Sequence, residues 1–330
     1  MIVQDLTTRD PDYRYNFYHN TPGIAGNAVF LALFLVLVIS HLFLALKYKQ
    51  RWLGLCLFLG ELLEILAYGG RLGSHNNPYD RGLYILQMFG TTIAPIFIVA
   101  GYYYLFAKFV VIYGIKYSIF KNPIMYSYLF MSCDLFSLIL QGGGGGVASA
   151  ESSSHSNSKV GIHIMIGGLV FQVVSMTVFL IFWCLFFYRI YFQSDKEIDP
   201  MIVKTQKKSF NHTSYKDHLF NPEFQELRGN KNFQRLPVVV TIGFMAIFIR
   251  CCYRVAELCQ GWSGYLIIHE AFILVFDAMF MFFSCAIITW PYYPGSVFQG
   301  HKIIVAKGLW HFESSQVIDI GEKVIDGEIK

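Results

Sequence analysis

Charged and polar side chains recur at helical spacing inside stretches of this sequence that are otherwise apolar. Glu64, Tyr68 and Arg71 stand at positions i, i+4 and i+7, and the stretch IRCCYRVAE, residues 249–257, repeats that spacing with two arginines and a glutamate. Residues spaced in this way lie on one face of an α-helix. In lipid, such groups pair with one another or line a path for an ion or a ligand. The pattern therefore predicts ion pairing or recognition of a charged headgroup.

The second set consists of Arg250, Arg254 and Glu257, and a third pair, Glu270 and Asp277, is separated by seven residues. Glu64 and Glu270 are candidate partners for the face that carries the two arginines. The further polar residues of this kind are Gln87, Asp134, Gln141 and Gln172. With Glu61 included, six carboxylates stand against three arginines within the apolar runs. This excess of negative charge would suit a positively charged ligand.

The elements that must position these side chains are membrane-spanning helices. Hydrophobic residues make up 55% of the chain and charged residues only 15%, with a mean hydropathy of +0.45, whereas a soluble domain carries about 25% charged residues. A helix needs about 20 apolar residues to cross the hydrocarbon. Because an open strand would leave its peptide groups unpaired in lipid, we predict an all-α, polytopic bundle. Its seven transmembrane helices are predicted over residues 23–46, 52–70, 83–107, 124–141, 160–188, 236–257 and 265–290.

Lysine and arginine are distributed unevenly over the connections. The segments after the first, third and fifth runs and the tail together hold nineteen, and the segments on the opposite side hold five. Positive residues concentrate in cytoplasmic loops. We therefore expect an extracellular N-terminus over 1–22, a seven-helix transmembrane domain over 23–294 with a solvated cytosolic loop at 189–235, and a cytosolic tail over 295–330. The Gly/Ser-rich segment 141–159 is expected to be a flexible outer loop.

The depth of the polar residues follows from a rise of about 1.5 Å per residue. Most of them fall within about 12 Å of the outer surface, and four lie near the midplane: Glu61, Asp134, Gln172 and Asp277. If they face inward together, they form an outward-facing polar basin with an acidic floor. Two interpretations stay open, because the side chains can tie helices together or line a ligand path. His163 is expected to be structural rather than a proton relay.

Several classes of chemistry lack their motifs in this sequence. There is no G-x-x-x-x-G-K-[ST], no H-E-x-x-H and no G-x-S-x-G, so neither ATP hydrolysis nor protease or esterase chemistry is expected. The histidines are scattered, which argues against an intramembrane lipid-modifying enzyme, and the seven cysteines show no disulfide or zinc spacing. We expect no enzyme, no cofactor, no bound metal and no nucleic-acid partner, and the sequence predicts no oligomeric state.

A set of motifs runs through all seven predicted spans, over about residues 20–300. They are Glu64-Ile-Leu-Ala-Tyr68-Gly-Gly-Arg71, Asn77-Pro78, Gln87, Ala94-Pro95, Asp134 with Gln141-Gly-Gly-Gly, Gly168-Leu-Val-Phe-Gln172, Arg250-x-x-x-Arg254-x-x-Glu257 with Gly261, and His269-Glu270 with Asp277. Together they resemble the fungal RTA-like family of lipid-translocating exporters. Two positions depart from the family pattern: Leu274 stands where a tyrosine is usual, and Tyr293-Pro294-Gly295 replaces His-Pro-Gly.

The resemblance implies a multi-pass plasma-membrane protein that exports amphiphilic lipids, such as sphingoid long-chain bases or sterol-like toxic compounds, without hydrolysing ATP. It also implies tetrapyrrole transport (protoporphyrin or haem) as an alternative. The expected partners are membrane lipids and amphiphilic small molecules. Seven spans with basic cytosolic loops also describe receptors, so a membrane sensor of lipid stress is a further alternative.

Overall fold

The computed structural model describes residues 21–120, 122–153, 160–193, 219–260, 265–289, 291–298 and 303. Seven long helices account for most of them: α1 (Ile24–Tyr48), α2 (Arg51–Asn76), α3 (Arg81–Tyr113), α4 (Ile124–Ser153), α5 (Val160–Tyr188), α6 (Lys231–Cys259) and α7 (Glu270–Ile288). Each contains a span long and apolar enough to cross a membrane, and the described residues contain no strand. The predicted all-α bundle of seven transmembrane helices is confirmed, and the protein is an integral membrane protein.

An aromatic core joins α3 to α5 and α6. The ring of Tyr103 lies 4.6 Å from that of Phe179, and Phe106 meets Phe179 and Trp183 at 5.5 and 5.3 Å between centroids. Phe179 in turn lies 5.0 Å from Phe244 of α6. Tilted and edge-to-face rings at these distances attract one another beyond their buried area. These rings therefore join the three helices by apolar packing.

Helix α1 contributes one narrow stripe to the interior. Asn27, Phe34 and His41, seven residues apart, are fully buried, whereas Val36 and Ile39 on other faces are exposed. The Phe34 ring stacks on Tyr68 of α2 at 5.9 Å. Seven residues are close to two helical turns, so the stripe runs straight along α1 and presents two polar side chains to α2 and α7.

The Gly/Ser-rich segment is helical over its first part, because α4 continues through all five glycines to Ser153. A Cβ on Gly144 would lie 2.6 Å from the backbone nitrogen of Met165, and a Cβ on Gly161 would lie 2.2 Å from a backbone nitrogen of α4. Small residues let two helices approach this closely in membranes, and that contact outweighs the low helix propensity of glycine. The predicted loop was wrong here; residues 154–159 lie outside the described residues.

Lys108 was assigned to a connection from the sequence, and this assignment was wrong. It lies within α3, is only 2% exposed, and its Nζ donates to Gln50 Oε1 at 2.6 Å. The rings of Tyr104 and Phe298 lie 4.8 and 5.4 Å from the ammonium. Helix α3 is longer than its apolar run because its last turns are covered by other parts of the protein instead of facing water.

The solvated linker predicted for 189–235 was wrong for its second part. Residues from 219 onward form a 3-10 turn and a short helix, Gln225–Gly229, and Phe220, Phe224 and Leu227 are buried. Arg228 donates to the carbonyl oxygen of Ile112 at 3.1 Å. Apolar side chains thus fold this segment back under α3. Residues 194–218 lie outside the described residues.

Candidate functional site

Arg250 of α6 stands at the centre of a buried polar group. Its Nε lies 2.5 Å from Asp277 Oδ1 of α7, and a terminal nitrogen lies 3.9 Å from Glu64 Oε1 of α2. The guanidinium also donates to the carbonyl oxygen of Thr91 in α3. All three charged side chains are 2% exposed or less. Four helices therefore meet at one guanidinium, and the predicted pairing of Arg250 with Glu64 is present.

Glu64 is the least satisfied member of this group. Its side chain is buried, neither carboxylate oxygen has a hydrogen-bond partner within the described residues, and Arg250 is the cation in contact at 3.9 Å. The hydroxyl of Tyr68, one turn further along α2, also lacks a partner there. Buried polar groups are nearly always hydrogen-bonded. These two side chains therefore have unused capacity for a ligand group or water.

Arg254 extends the group by one turn of α6. It donates to Glu257 Oε2 at 2.7 Å and to the hydroxyl oxygen of Thr91 at 2.7 Å. Its side chain is 15% exposed, more than that of Arg250. Thr91 thus binds both arginines, one through its carbonyl and one through its hydroxyl. Thr91 was not predicted from the sequence, because an uncharged threonine in an apolar run carries no charge that would mark it as part of a polar site.

Glu270 closes the end of the bundle at which α1 begins and α2 finishes. Its carboxylate accepts from the backbone N–H of Gly23 at 2.8 Å, from Asn27 Nδ2 at 2.7 Å, and from Arg71 at 3.1 and 3.3 Å. The side chain is 28% exposed. Glu270 was expected opposite the arginines of α6, but it pairs with Arg71 of α2 instead. It fastens the starts of α1 and α7 to the end of α2.

The reason lies in the shape of α7. The predicted span 265–290 is interrupted, because a short helix, Tyr265–Ile268, ends at His269, whose backbone is extended, and α7 begins only at Glu270. Asp277 then lies within a π-helical segment, Ile273–Met279. π-Helical turns are rare and occur frequently at functional sites. The local change of register separates the partners of Glu270 from those of Asp277.

Asp134, Gln141 and Gln172 form a separate polar group between α3, α4 and α5. Gln141 Nε2 donates to Gln172 Oε1 at 3.1 Å, and the Tyr103 hydroxyl donates to Asp134 Oδ2 at 2.9 Å. Gln87 is buried, and its Oε1 has no hydrogen-bond partner among the described residues. The predicted residues thus divide into a central group, the pair at Glu270, this third group and Gln87, while His163 is exposed on α5.

A further polar layer contains Glu61, which the sequence placed near the midplane, together with His41 and Thr289, which were missed. His41 Nδ1 lies 2.5 Å from Glu61 Oε1, and His41 Nε2 lies 3.3 Å from the hydroxyl oxygen of Thr289. The spacing of seven between Asn27, Phe34 and His41 is the signal that could have found it. In the described part of the chain, no cluster of three or more His, Cys, Asp or Glu side chains could hold a metal ion.

Comparison with known proteins bears directly on this arrangement. The family model described as RTA1 like protein matches residues 57–301. The chain is 34% identical over 285 residues to the sphingoid long-chain base transporter RSB1 of Saccharomyces cerevisiae (strain Lalvin EC1118), covering 85% of this chain and 74% of that protein. It is 26% identical over 302 residues to protoporphyrin uptake protein 1 of Saccharomyces cerevisiae (strain S288c), covering 81% and 89%. It is also 25% identical over 242 residues to protein RTM1 of the same species, covering 73% and 68%.

No solved structure matches this chain. The family match covers α3 to α7 and most of α2, so it includes both arginines of α6, Glu64, and both carboxylates of α7. The resemblance drawn from the motifs is confirmed. The chain belongs to the RTA1-like family.

Proposed function

We propose that this protein moves sphingoid long-chain bases across the plasma membrane, that it does so without ATP hydrolysis, and that it is not an enzyme. The observation that carries the proposal is the similarity, 34% identity over 85% of the chain, to a protein named as a sphingoid long-chain base transporter. The buried polar group adds a chemical reason, because its charge suits an amine.

The carboxylates of the central group and of the Glu270 pair outnumber the arginines by one. The acids are Glu64, Glu257, Glu270 and Asp277, and the bases are Arg71, Arg250 and Arg254. Of these four carboxylates Glu64 has the longest contact with an arginine, 3.9 Å, and neither of its oxygens has a hydrogen-bond partner among the described residues. An ammonium about 4 Å from it would gain about 4 kcal/mol at an effective dielectric constant of 20. The headgroup of a sphingoid base supplies that ammonium, and its hydroxyls could bond to Tyr68.

The orientation of the protein belongs to the same proposal. Without the buried Lys108, eighteen lysines and arginines on one side against five on the other support an extracellular N-terminus and a cytosolic tail. The Arg71–Glu270 pair then lies at the extracellular end, about 10 Å along α2 from Glu64 at 1.5 Å per residue. A lipid amine bound at Glu64 would leave past this pair.

Substitution of the two carboxylates tests the proposal. In cells that lack the protein, Glu64→Gln or Glu270→Gln, expressed at the wild-type level, is expected to abolish resistance to added phytosphingosine, because each removes a negative charge from the path. Glu322→Gln, the same change in the sequence after the seven spans, is the matched control and should give full resistance. Full resistance in both test variants would contradict the proposed role of these carboxylates.

A second candidate, tetrapyrrole transport, is favoured by the 26% identity to the protoporphyrin uptake protein. A porphyrin carries carboxylates and needs a cation, whereas Arg71, Arg250 and Arg254 are each paired with a protein carboxylate. Flux of labelled sphingoid base, sterol and haem-like probes into vesicles that contain only this protein separates the candidates. Movement of the base alone supports the proposal, and failure of every probe to exceed empty vesicles favours a sensor.

A further inference from the structure

The layer formed by His41, Glu61 and Thr289 contains a second, fully buried ionisable pair. His41 and Glu61 are both 0% exposed, with 2.5 Å between Nδ1 and Oε1. On α2, Glu61 lies about 4.5 Å beyond Glu64, at 1.5 Å per residue, on the side away from Arg71. Ionisable residues buried in a membrane bundle are rare, and they mark ion paths and proton relays. The path proposed above for a lipid amine does not involve His41 or Glu61.

The Thr289 hydroxyl can hydrogen-bond to His41 whether the ring is neutral or protonated. Its hydroxyl lies 3.3 Å from His41 Nε2 and 3.1 Å from the carbonyl oxygen of Cys285. When the ring is neutral with its proton on Nδ1, Nε2 accepts and the hydroxyl can donate to it. When the ring is protonated, Nε2–H donates to the same hydroxyl oxygen, and the hydroxyl proton turns to the Cys285 carbonyl. Both states are therefore hydrogen-bonded without a movement of the helices.

Among the described residues, no lysine or arginine forms an ion pair with His41 or Glu61. Glu61 Oε2 and the Tyr293 hydroxyl lack hydrogen-bond partners there. Burial raises the pKa of the Tyr293 phenol, so this group stays protonated and is not the one that titrates. Helix α3 presents Ala94 and Ile98 at this level, against Gly60. The titratable groups that face the pair are Cys285 of α7 and Tyr293. Glu64 follows on α2, and its neighbours Arg250 of α6 and Asp277 of α7 are the next charged groups.

Glu61 and Glu64 are electrostatically close. They are three residues apart on α2, which places them on neighbouring positions of one face, and the thiol of Cys285 interacts with both. If both acids are ionised and the ring is neutral, this region carries one more negative charge than the Glu64 group alone. A proton on the His41–Glu61 pair or an ammonium at Glu64 compensates that charge, and the presence of one disfavours the other.

We propose that the His41–Glu61 pair is a proton-binding site, and that the protein exchanges one proton at this pair for one ammonium group at Glu64. The inference rests on the proposed transport of sphingoid bases and adds the source of energy for it. In each exchange a proton leaves the pair as the amine arrives, and the amine leaves as a proton returns. The charge of the buried group stays constant through the cycle, and no bond other than that to the proton is made or broken.

A quaternary amine tests the exchange, because N,N,N-trimethylsphingosine cannot carry a proton by itself. Vesicles that contain the purified protein, with the membrane potential clamped, are given an interior one pH unit more acidic than the exterior. One-for-one exchange should then raise the ratio of internal to external probe about tenfold over vesicles without a gradient. His41→Gln and Glu61→Gln should abolish this rise while downhill movement of the probe persists. His163→Gln, a histidine exposed on α5, is the matched control and should keep it.

A direct measurement of the proton needs no transport. In purified protein with ¹⁵N-labelled histidine rings, the signal that is missing from His41→Gln belongs to His41. We expect that signal to report a change in the protonation of the ring when N,N,N-trimethylsphingosine is added, because an ammonium at Glu64 disfavours the proton. This response should be lost in Glu61→Gln, because the negative partner has been removed.

The outcomes separate the two proposals. If wild-type vesicles move the probe downhill but show no rise with the pH gradient, the exchange is overturned and the transport proposal stands. A tenfold rise that survives in both His41→Gln and Glu61→Gln also overturns it. If wild-type vesicles move neither the probe nor labelled phytosphingosine faster than empty vesicles, transport and exchange both fail. The ring signal then decides the proton site alone, and a His41 signal that is unchanged on addition of the amine overturns it.

Discussion

Arg250 links more helices than the other charged side chains of the site, because it contacts Asp277, Glu64 and Thr91 from α7, α2 and α3. A buried ion pair contributes little net stability, yet removal of one partner leaves an uncompensated charge that costs much more. The cost should be large here, since two carboxylates depend on a single guanidinium. The same argument gives Arg254 a smaller effect, because its side chain is partly exposed and faces one acid.

We expect Arg250→Met to destabilise the protein by about 3 to 5 kcal/mol. The double variant Arg250→Met with Asp277→Leu should recover part of that loss, because it removes one of the two stranded carboxylates. Thermal unfolding of the purified proteins in detergent micelles measures both, with Arg254→Met as the comparison. An Arg250→Met protein that unfolds at the wild-type temperature would show that the guanidinium does not hold the helices together.

For individual residues, the sequence predicted which charged side chains lie inside the helices better than it predicted the residues with which they pair. The spacing of Arg250 and Arg254 placed both inside a helix and pointed to Glu64, and the structure pairs Arg250 with it. The partner of Glu270 was missed because it depends on where α7 begins. His41 was missed because a single histidine in an apolar run, without a charged residue at helical spacing beside it, gives little signal. Periodicity gives the face of a helix on which a side chain lies. The packing of the helices decides which other helix that face contacts.

At the scale of the element, the α4–α5 pair shows how composition can mislead. A run of five glycines is typical of a flexible linker, yet it forms part of α4 here. Its glycines are not equivalent. A Cβ on Gly144 would lie within 3 Å of the backbone of α5, whereas a Cβ on Gly143 would have nothing within 4 Å. A glycine can break a helix or allow it to pack closely against another helix. Which of the two occurs depends on the adjacent helix, which the local sequence does not show.

Gly144→Leu should therefore destabilise the protein by about 1 to 3 kcal/mol through overpacking. Gly143→Leu, the same change one residue earlier, faces open space and should be neutral or slightly stabilising, because leucine has the better helix propensity. The unfolding temperatures of the two variants in the same detergent provide the comparison. Equal losses in both would indicate that the segment behaves as a linker and not as a packed helix.

At the scale of the whole molecule, the bundle has two unlike halves. Around α3, α5 and α6 the interior is aromatic, with Phe179 in contact with Tyr103, Phe106 and Phe244. Between α1, α2, α7 and the face of α6 that carries Arg250 it is a ladder of buried acids, arginines and one histidine. The sequence predicted seven spans because length and hydropathy suffice for that, but not this division, which depends on how the helices are arranged around α3.

The orientation is a prediction for the whole molecule. An epitope added before residue 1 should bind antibody on intact cells, and one added after Lys330 should bind it only after permeabilisation, because positive residues favour the cytosolic side. Immunofluorescence of the two tagged proteins in the same cells gives the answer, with phytosphingosine resistance as the check that each tagged protein works. The reverse labelling pattern would place the Arg71–Glu270 pair on the cytosolic side and reverse the proposed direction of exit.

The π-helical segment Ile273–Met279 has a mechanical consequence. A π-turn differs from an α-turn by one residue in its hydrogen-bond ladder, so conversion of one into the other rotates the residues that follow while every peptide group keeps an internal partner. Lipid forbids any movement that exposes peptide groups. Asp277 sits inside this segment, against Arg250. Conversion of this segment to an α-turn would therefore turn Asp277 relative to the guanidinium by a change of register, without helix α7 leaving the membrane.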